Sequence, residues 1–98
     1  MDGGYTSAVL AADHQTGAAW IDRALALNPN SAWAWNVRGW VAVLAGDREA
    51  PAGFFKQAMR LSPLDPMGWS FTGGMVFTAL LARRFDDALI WAERRLHE

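Results

Sequence analysis

A shift of 34 residues brings the chain into register with itself, and this internal repeat limits the possible folds more than any other feature. The matched positions include a proline, a tryptophan and a glycine: Pro29 with Pro63, Trp35 with Trp69, and Gly39 with Gly73. Alanine and leucine often match by chance in helical proteins, whereas these three residue types seldom match in one register. A period of this length predicts a repeat architecture, in which each unit buries its apolar face against its neighbours.

Capping residues and turn residues divide the repeat into helices. Asn30 or Ser31 is suited to cap a helix that runs to about Ala45, where Gly46 offers a left-handed stop. Asp47 opens the next segment. Since a proline lacks the N–H of a helix interior, Pro51 predicts that this second helix begins at Ala50 or at Pro51 itself.

The same signals predict helices on both sides of this pair. Asp65-Pro66 places an acid before a first-turn proline, which predicts a helix start and a helix that runs to about Arg83. The charges Asp86, Asp87, Arg94 and Arg95 complement the dipole of a last helix. A shorter pair comes first, at about Tyr5–Ala12 and Thr16–Leu27, with His14 in the turn between the two helices.

No segment shows the sustained period-2 alternation of a strand, and no Asn-Gly or Asp-Gly pair joins two strand-like runs. The sequence therefore predicts an all-α fold of six helices in three antiparallel pairs.

The chain resembles the tetratricopeptide-repeat family, whose unit is a helix–turn–helix of the same period. The resemblance rests on Trp-x-x-x-Gly at 35–39 and again at 69–73, and on the small–bulky–alanine series of the second helix, which is Gly17, Ile21 and Ala24 in one unit and continues with Phe55 and Ala58 in the next. It implies a right-handed superhelical array of about three antiparallel helix pairs. The whole chain, 1–98, would be one domain with units of about 4–29, 30–63 and 64–98, truncated at both ends.

Two sequence runs indicate a particular subgroup within this family: ALALNPNS at 24–31 and LSPLDP at 61–66. They are similar to the helical-repeat regions that lie C-terminal to adenylate or guanylate cyclase domains, or to winged-helix DNA-binding domains, in bacterial multidomain regulators. We expect neither of those domains in this chain. Cyclase activity and DNA binding are therefore not carried over with the resemblance.

Composition and charge exclude several classes of function. The chain has no cysteine, which excludes thiol catalysis and cysteine-ligated metals. Nine basic and ten acidic residues, with no basic cluster, predict no nucleic-acid partner. Asp2 stands where a signal peptide needs a basic residue, so we expect a cytoplasmic protein. The uncharged run Met67–Ala82 is shorter than the roughly 20 residues of a membrane-spanning helix and indicates a buried helix instead.

The polar residues do not suggest an enzyme. His14 and His97 lie near opposite ends of the array, so we expect solvated histidines and no metal site. Asp86 and Asp87 are helical neighbours that cannot face one another. Gly73-Gly74 follows no strand and precedes no Lys-Ser/Thr pair, which excludes a phosphate loop. We expect no catalytic residue and no cofactor.

The family resemblance implies a groove lined by the first helix of each unit. It places Trp33, Asn36 and Trp40 there, with Met67, Ser70 and Gly74 as their counterparts and Phe77 one turn further. The predicted partner-binding residues are Trp33, Asn36, Trp40 and Phe77. Residues predicted to be structural are Trp35, Gly39, Phe55, Ala58, Trp69 and Gly73. In the alternative, neighbouring helices, the truncated ends or a second copy cover the aromatic rings.

The last helix carries Leu89, Trp91 and Leu96 with no further helix to cover them, which predicts a homodimer at micromolar concentration. The sequence thus favours a non-catalytic interaction or assembly scaffold that binds a protein or peptide. The alternative is a C-terminal regulatory or dimerisation remnant of a multidomain cyclase or transcription regulator.

Overall fold

The computed structural model describes residues 3–96, with side chains described for 15–96. This part of the chain contains five α-helices joined by short connectors. They are α1 (Gly3–Leu27), α2 (Ala32–Leu44), α3 (Ala50–Leu61), α4 (Gly68–Leu81) and α5 (Phe85–Arg95). No strand occurs in this part of the chain. The all-α prediction is confirmed.

The first helix pair of the sequence prediction is wrong. A single helix, α1, occupies both predicted segments, and His14 lies within it instead of in a turn. Neither proline nor glycine occurs at 13–15, so nothing there ends a helix. In place of three pairs, the structure has one long helix followed by two helical hairpins, α2–α3 and α4–α5.

The boundaries of α2 follow the sequence signals. Ser31 Oγ accepts a hydrogen bond of 3.2 Å from the backbone N–H of Ala34, which caps the helix. Gly46 follows its end with a φ of 81°, the left-handed conformation that glycine adopts at no steric cost. Both predictions are confirmed.

The side chain of Asp47 caps the backbone at the start of α3. Its Oδ1 accepts hydrogen bonds from the backbone N–H groups of Ala50, at 3.0 Å, and Glu49, at 2.9 Å. These bonds hold the pKa of the Asp47 carboxyl below its ordinary 3.8. The helix begins at Ala50 with Pro51 in its first turn, which confirms the predicted start.

The start of α4 lies later than predicted, at Gly68. Asp65 accepts hydrogen bonds of 2.8 Å from the backbone N–H of Met67 and from the Ser62 hydroxyl. Both carboxylate oxygens thus bind within the connector ahead of the helix, and the Asp65 side chain caps no N–H of α4, whose first N–H, that of Gly68, donates to the Asp65 backbone oxygen at 2.9 Å. At the other end, Arg83 has a φ of 57°, a left-handed conformation in a residue other than glycine.

The centre of the core is Phe55 of α3, held between a glycine of α2 and a glycine of α4. A Cβ added to Gly39 would lie 2.7 Å from Phe55 Cε1, and one added to Gly74 would lie closer still to the ring. Only glycine admits this approach. The prediction that Gly73 packs in the interior of α4 while Gly74 faces the groove is therefore wrong. A Cβ on Gly73 would meet Arg95 instead.

The helices form a thin slab with extents of 44 × 35 × 19 Å, about two helix diameters thick. Helix α1 is joined to α2 by an ion pair of 2.8 Å between Asp22 Oδ1 and Arg38 Nε, and the Arg38 guanidinium also lies over the Phe54 ring. A two-layer slab leaves each helix a surface that no other helix covers. Large apolar side chains are exposed along it, and the arrangement of these side chains defines the candidate site.

Candidate interaction surface

A polar node joins α2 to α4 beneath the candidate site. Ser70 Oγ accepts hydrogen bonds from Asn36 Nδ2 and Trp40 Nε1, each of 3.2 Å. Asn36 is only 1% exposed, and within the described chain no buried side-chain nitrogen or oxygen lacks a partner. Because buried polar groups are costly to leave unpaired, this node fixes the position of the Trp40 indole.

Trp40 is also held by two aromatic rings. Its ring meets Phe55 edge-on at a centroid distance of 5.5 Å and Phe77 edge-on at 5.6 Å. Such edge-to-face pairs stabilise by about 0.5–1.5 kcal/mol each beyond their buried area. Since Phe55 is wholly buried and Phe77 is 53% exposed, Trp40 connects the core to the surface.

The surface above this chain of rings is a cleft of about 1100 Å³. It lies between α4, the end of α5 and the connector before α4, with Trp40 of α2 at its base. Its apolar lining includes Trp40, Pro63, Leu64, Pro66, Trp69, Val76, Phe77, Ala92 and Leu96. The volume slightly exceeds the roughly 300–1000 Å³ of small-ligand pockets and suits a groove that holds a few side chains of a partner.

Two charged residues line the cleft, Asp65 and Arg95. Both oxygens of Asp65 already accept hydrogen bonds within the connector. Arg95 Nε donates to the backbone oxygen of Trp69 at 3.3 Å, which fixes the guanidinium at the wall of the cleft. The cleft therefore offers mainly apolar contacts, with one anchored cation at its edge.

The structure separates the four predicted partner-binding residues. Trp40 and Phe77 line the cleft. Asn36 lies beneath it, and its side chain is buried by the node with Ser70. Trp33 is 51% exposed but does not belong to the cleft lining. The expectation that Asn36 faces the groove is thus wrong, because the amide is needed to join two helices.

Trp69, which is predicted to pack in the interior, lies in the cleft instead. It is 48% exposed and lines the cleft. Its counterpart Trp35 stacks on Phe54 at 6.0 Å and donates from Nε1 to the Pro29 oxygen at 2.8 Å. Trp69 makes neither kind of contact with the described residues. The lining also includes Arg95 and Leu96, which only the three-dimensional arrangement brings to α4.

The remaining chemistry of the described residues is sparse. No group of three His, Cys, Asp or Glu in this part of the chain could hold a metal ion. The side chains of His14 and His97 lie outside the described residues. Among the helices of residues 3–96, none is both long enough and apolar enough to cross a membrane. The uncharged run at 67–82 forms α4, a helix of 14 residues.

Comparison with protein-family models, with curated proteins and with solved structures gives no match. The tetratricopeptide resemblance, with its right-handed superhelix, therefore remains a prediction from the sequence.

Proposed function

We propose that this chain is a non-catalytic protein-interaction or assembly module built from tetratricopeptide-like repeats, which binds an apolar segment of a protein or peptide in the cleft. The observation that carries the proposal is the ring series Phe55, Trp40 and Phe77, which runs from the core to an open surface. A pre-ordered aromatic surface binds with little loss of side-chain entropy. Aromatic anchors of this kind dominate the energetics of many protein interfaces.

The chemistry of the lining sets the class of partner. An apolar floor next to one fixed guanidinium favours a segment with two or more large apolar side chains over a charged one. The near-neutral charge balance of the chain gives a nucleic acid no electrostatic footprint, so we propose none as a partner. We also propose a cytoplasmic site of action and no membrane partner.

Selection of short random peptides on the immobilised chain tests this function. We expect enriched peptides to carry apolar side chains and to lose affinity about tenfold or more when Phe77 is replaced by serine. Trp33→Ser is the matched control, since Trp33 is as exposed as Phe77 but lies outside the cleft lining. Equal binding to the wild type and to Phe77→Ser, or loss on Trp33→Ser alone, would contradict the proposal.

A second candidate function is the regulatory or dimerisation role of a remnant of a larger cyclase or transcription regulator. The observation that favours it is the exposed apolar side of α5, where Leu89 is 69% exposed and Ile90 is 62% exposed. An in-frame or nearly in-frame catalytic or winged-helix domain just upstream of the coding sequence would support this role. An unrelated upstream region would count against it.

A further inference from the structure

Helix α1 is much longer than the helix that it packs against. It has 25 residues and α2 has 13, which makes α1 about 37 Å long and α2 about 20 Å. Within the described chain α1 packs against α2 and no other helix. Since the short connector 28–31 joins the end of α1 to the start of α2, this contact involves the second half of α1. The first half extends past α2 and has no partner helix in the part of the chain that the structure describes.

The repeat shows which helix this first half corresponds to. Residues 8–13 read AVLAAD, and residues 42–47, one period later, read AVLAGD, so that five of the six positions are identical. The second run contains the end of α2 and the turn that leads to α3. The first half of α1 therefore corresponds to α2, and residues 16–27 correspond to α3.

The one difference between the two runs is Ala12 in place of Gly46. Gly46 has a φ of 81° and ends α2 in the left-handed conformation. The Cβ of an alanine disfavours that conformation, so the chain continues as one helix where the later unit turns. While α1 is continuous, residues 3–12 cannot fold back on residues 16–27 of the same chain.

The second half of α1 has a bare apolar face at the positions that α2 covers on α3. In α3, Phe54 stacks on a tryptophan of α2, and Ala58 is wholly buried. Their counterparts in α1 are Trp20, which is 65% exposed, and Ala24, which is also exposed. Leu27 on the same face is 84% exposed, and an open depression of about 450 Å³ lies beside the Trp20 ring. The face thus lacks the helix that the repeat provides elsewhere.

We infer that two copies of this chain exchange the first halves of α1. Residues 3–12 of each copy lie antiparallel against residues 16–27 of the other, in the place that α2 takes on α3. The two-fold axis passes near Ala12, so each copy gives one segment and receives one. The exchange supplies the missing partner of the first half and covers the face around Trp20. Its contacts repeat those that α2 and α3 already make within one chain.

The charges of α1 do not select this arrangement. The helix carries Asp13, Asp22 and Arg23, and Asp22 is paired with Arg38 of its own α2. Asp13 lies one position from the axis, so the two copies bring like charges near one another there, with a His14 from each beside them. Coverage of the apolar face, and not charge, therefore drives the exchange. The inference goes beyond the proposed function, because no residue of α1 lines the cleft and either one can fail without the other.

Sedimentation equilibrium of the full chain, over a micromolar concentration series, tests the exchange through its hinge. The wild type should be a dimer. Ala12→Gly restores the left-handed stop, so residues 3–12 can fold back on their own chain at a high effective concentration. This variant should keep its helical circular dichroism, and its dissociation constant should rise at least tenfold. Ala26→Gly is the matched control, since it makes the same change at an exposed position of α1 away from the turn, and it should dimerise like the wild type.

The face is tested by removing its largest side chain. Trp20→Ser should raise the dissociation constant at least tenfold. Leu89→Ser is the control, because Leu89 is as exposed as Trp20 but lies on α5. A monomeric wild type, an Ala12→Gly variant that dimerises like the wild type, or weakening by Leu89→Ser alone would each overturn the inference.

Crosslinking tests which segments meet. The chain has no cysteine, so introduced thiols are unique. Tyr5 and Ile21 correspond to Gly39 and Phe55, which are in contact. A short bismaleimide should therefore join Tyr5→Cys chains to Ile21→Cys chains in a mixture. Each variant alone should give no such product, since equivalent residues lie more than about 20 Å apart along the antiparallel pair. Crosslinks within a single variant, or none in the mixture, would contradict the exchange.

Discussion

Asn36 and Ser70, which are 34 residues apart, are joined by a hydrogen bond of 3.2 Å between Nδ2 and Oγ. Two residues separated by one repeat period are thus in contact, because corresponding positions of α2 and α4 lie side by side. Trp40 shares the same Ser70 oxygen. The side chains that join neighbouring units therefore also support the base of the cleft.

This node predicts a strong energetic coupling between the two helices. Asn36→Ala and Ser70→Ala should each lower the free energy of unfolding by about 1–3 kcal/mol, because each leaves buried polar atoms unpaired. The double variant should lose less than the sum, with a coupling energy of about 0.5–3 kcal/mol. Urea denaturation of the four proteins measures it. Strictly additive losses would show that the node contributes no coupling.

Replacing a glycine by alanine should have opposite effects on the free energy of unfolding at two positions, Gly74 and Gly53. Gly74→Ala should lower the free energy of unfolding by about 1–3 kcal/mol, since the added methyl group overlaps the Phe55 ring. Gly53→Ala is the control: no atom lies within 4 Å of its added Cβ, and alanine favours the helix by roughly 0.5–1 kcal/mol. Thermal denaturation should therefore order the proteins as Gly53→Ala, wild type, Gly74→Ala. The reverse order would contradict the packing of the core.

The end of α4 offers a stabilising substitution. Arg83 follows α4 in the left-handed conformation that Gly46 adopts after α2, and a side chain there costs about 1–2 kcal/mol. After the entropy of glycine in the unfolded chain is subtracted, Arg83→Gly should raise the free energy of unfolding by about 0.5–1 kcal/mol. Gly46→Ala should lower it. A loss of stability in Arg83→Gly would show that this φ is not strained.

The cap of α3 predicts a dependence on pH. Because the folded pKa of Asp47 is lowered by its bonds to Ala50 and Glu49, its contribution is complete above the ordinary 3.8 and is lost as the pH falls through the folded pKa. Asp47→Ala should cost about 1 kcal/mol at neutral pH and less in acid. Asp47→Asn keeps the acceptor oxygen and should show no such trend. A difference between wild type and Asp47→Ala that grows in acid would contradict this role.

Local signals in the sequence predict the helix ends that depend on a few neighbouring residues. Ser31, Gly46 and Ala50 are in this class, because capping and left-handed stops act over one turn. The continuous α1 is not predicted, since the polar residues at 13–15 favour neither a turn nor a helix strongly. A helix without a stop signal continues by default.

The packing partners of α4 could not be predicted from the repeat alone. Helix α3 packs against both α2 and α4, and the glycines that meet its Phe55 are Gly39 and Gly74, one position out of the 34-residue register, so a strict match assigns the wrong glycine to the interior. Gly74 therefore packs on Phe55, and Trp69 is left at the cleft. A shift of one residue rotates a side chain by about 100° around the helix, which is enough to exchange core and surface.

Binding in the cleft can be tested by an NMR titration that follows the indole N–H signals of the six tryptophans while a selected peptide is added. A binding site in the cleft predicts that the signals of Trp40 and Trp69 shift with saturation, since both rings line the cleft, while those of Trp20 and Trp33 stay in place. Phe77→Ser should abolish the shifts. Movement of the Trp20 and Trp33 signals with Trp40 and Trp69 unchanged would place the partner elsewhere and contradict the cleft as the binding site.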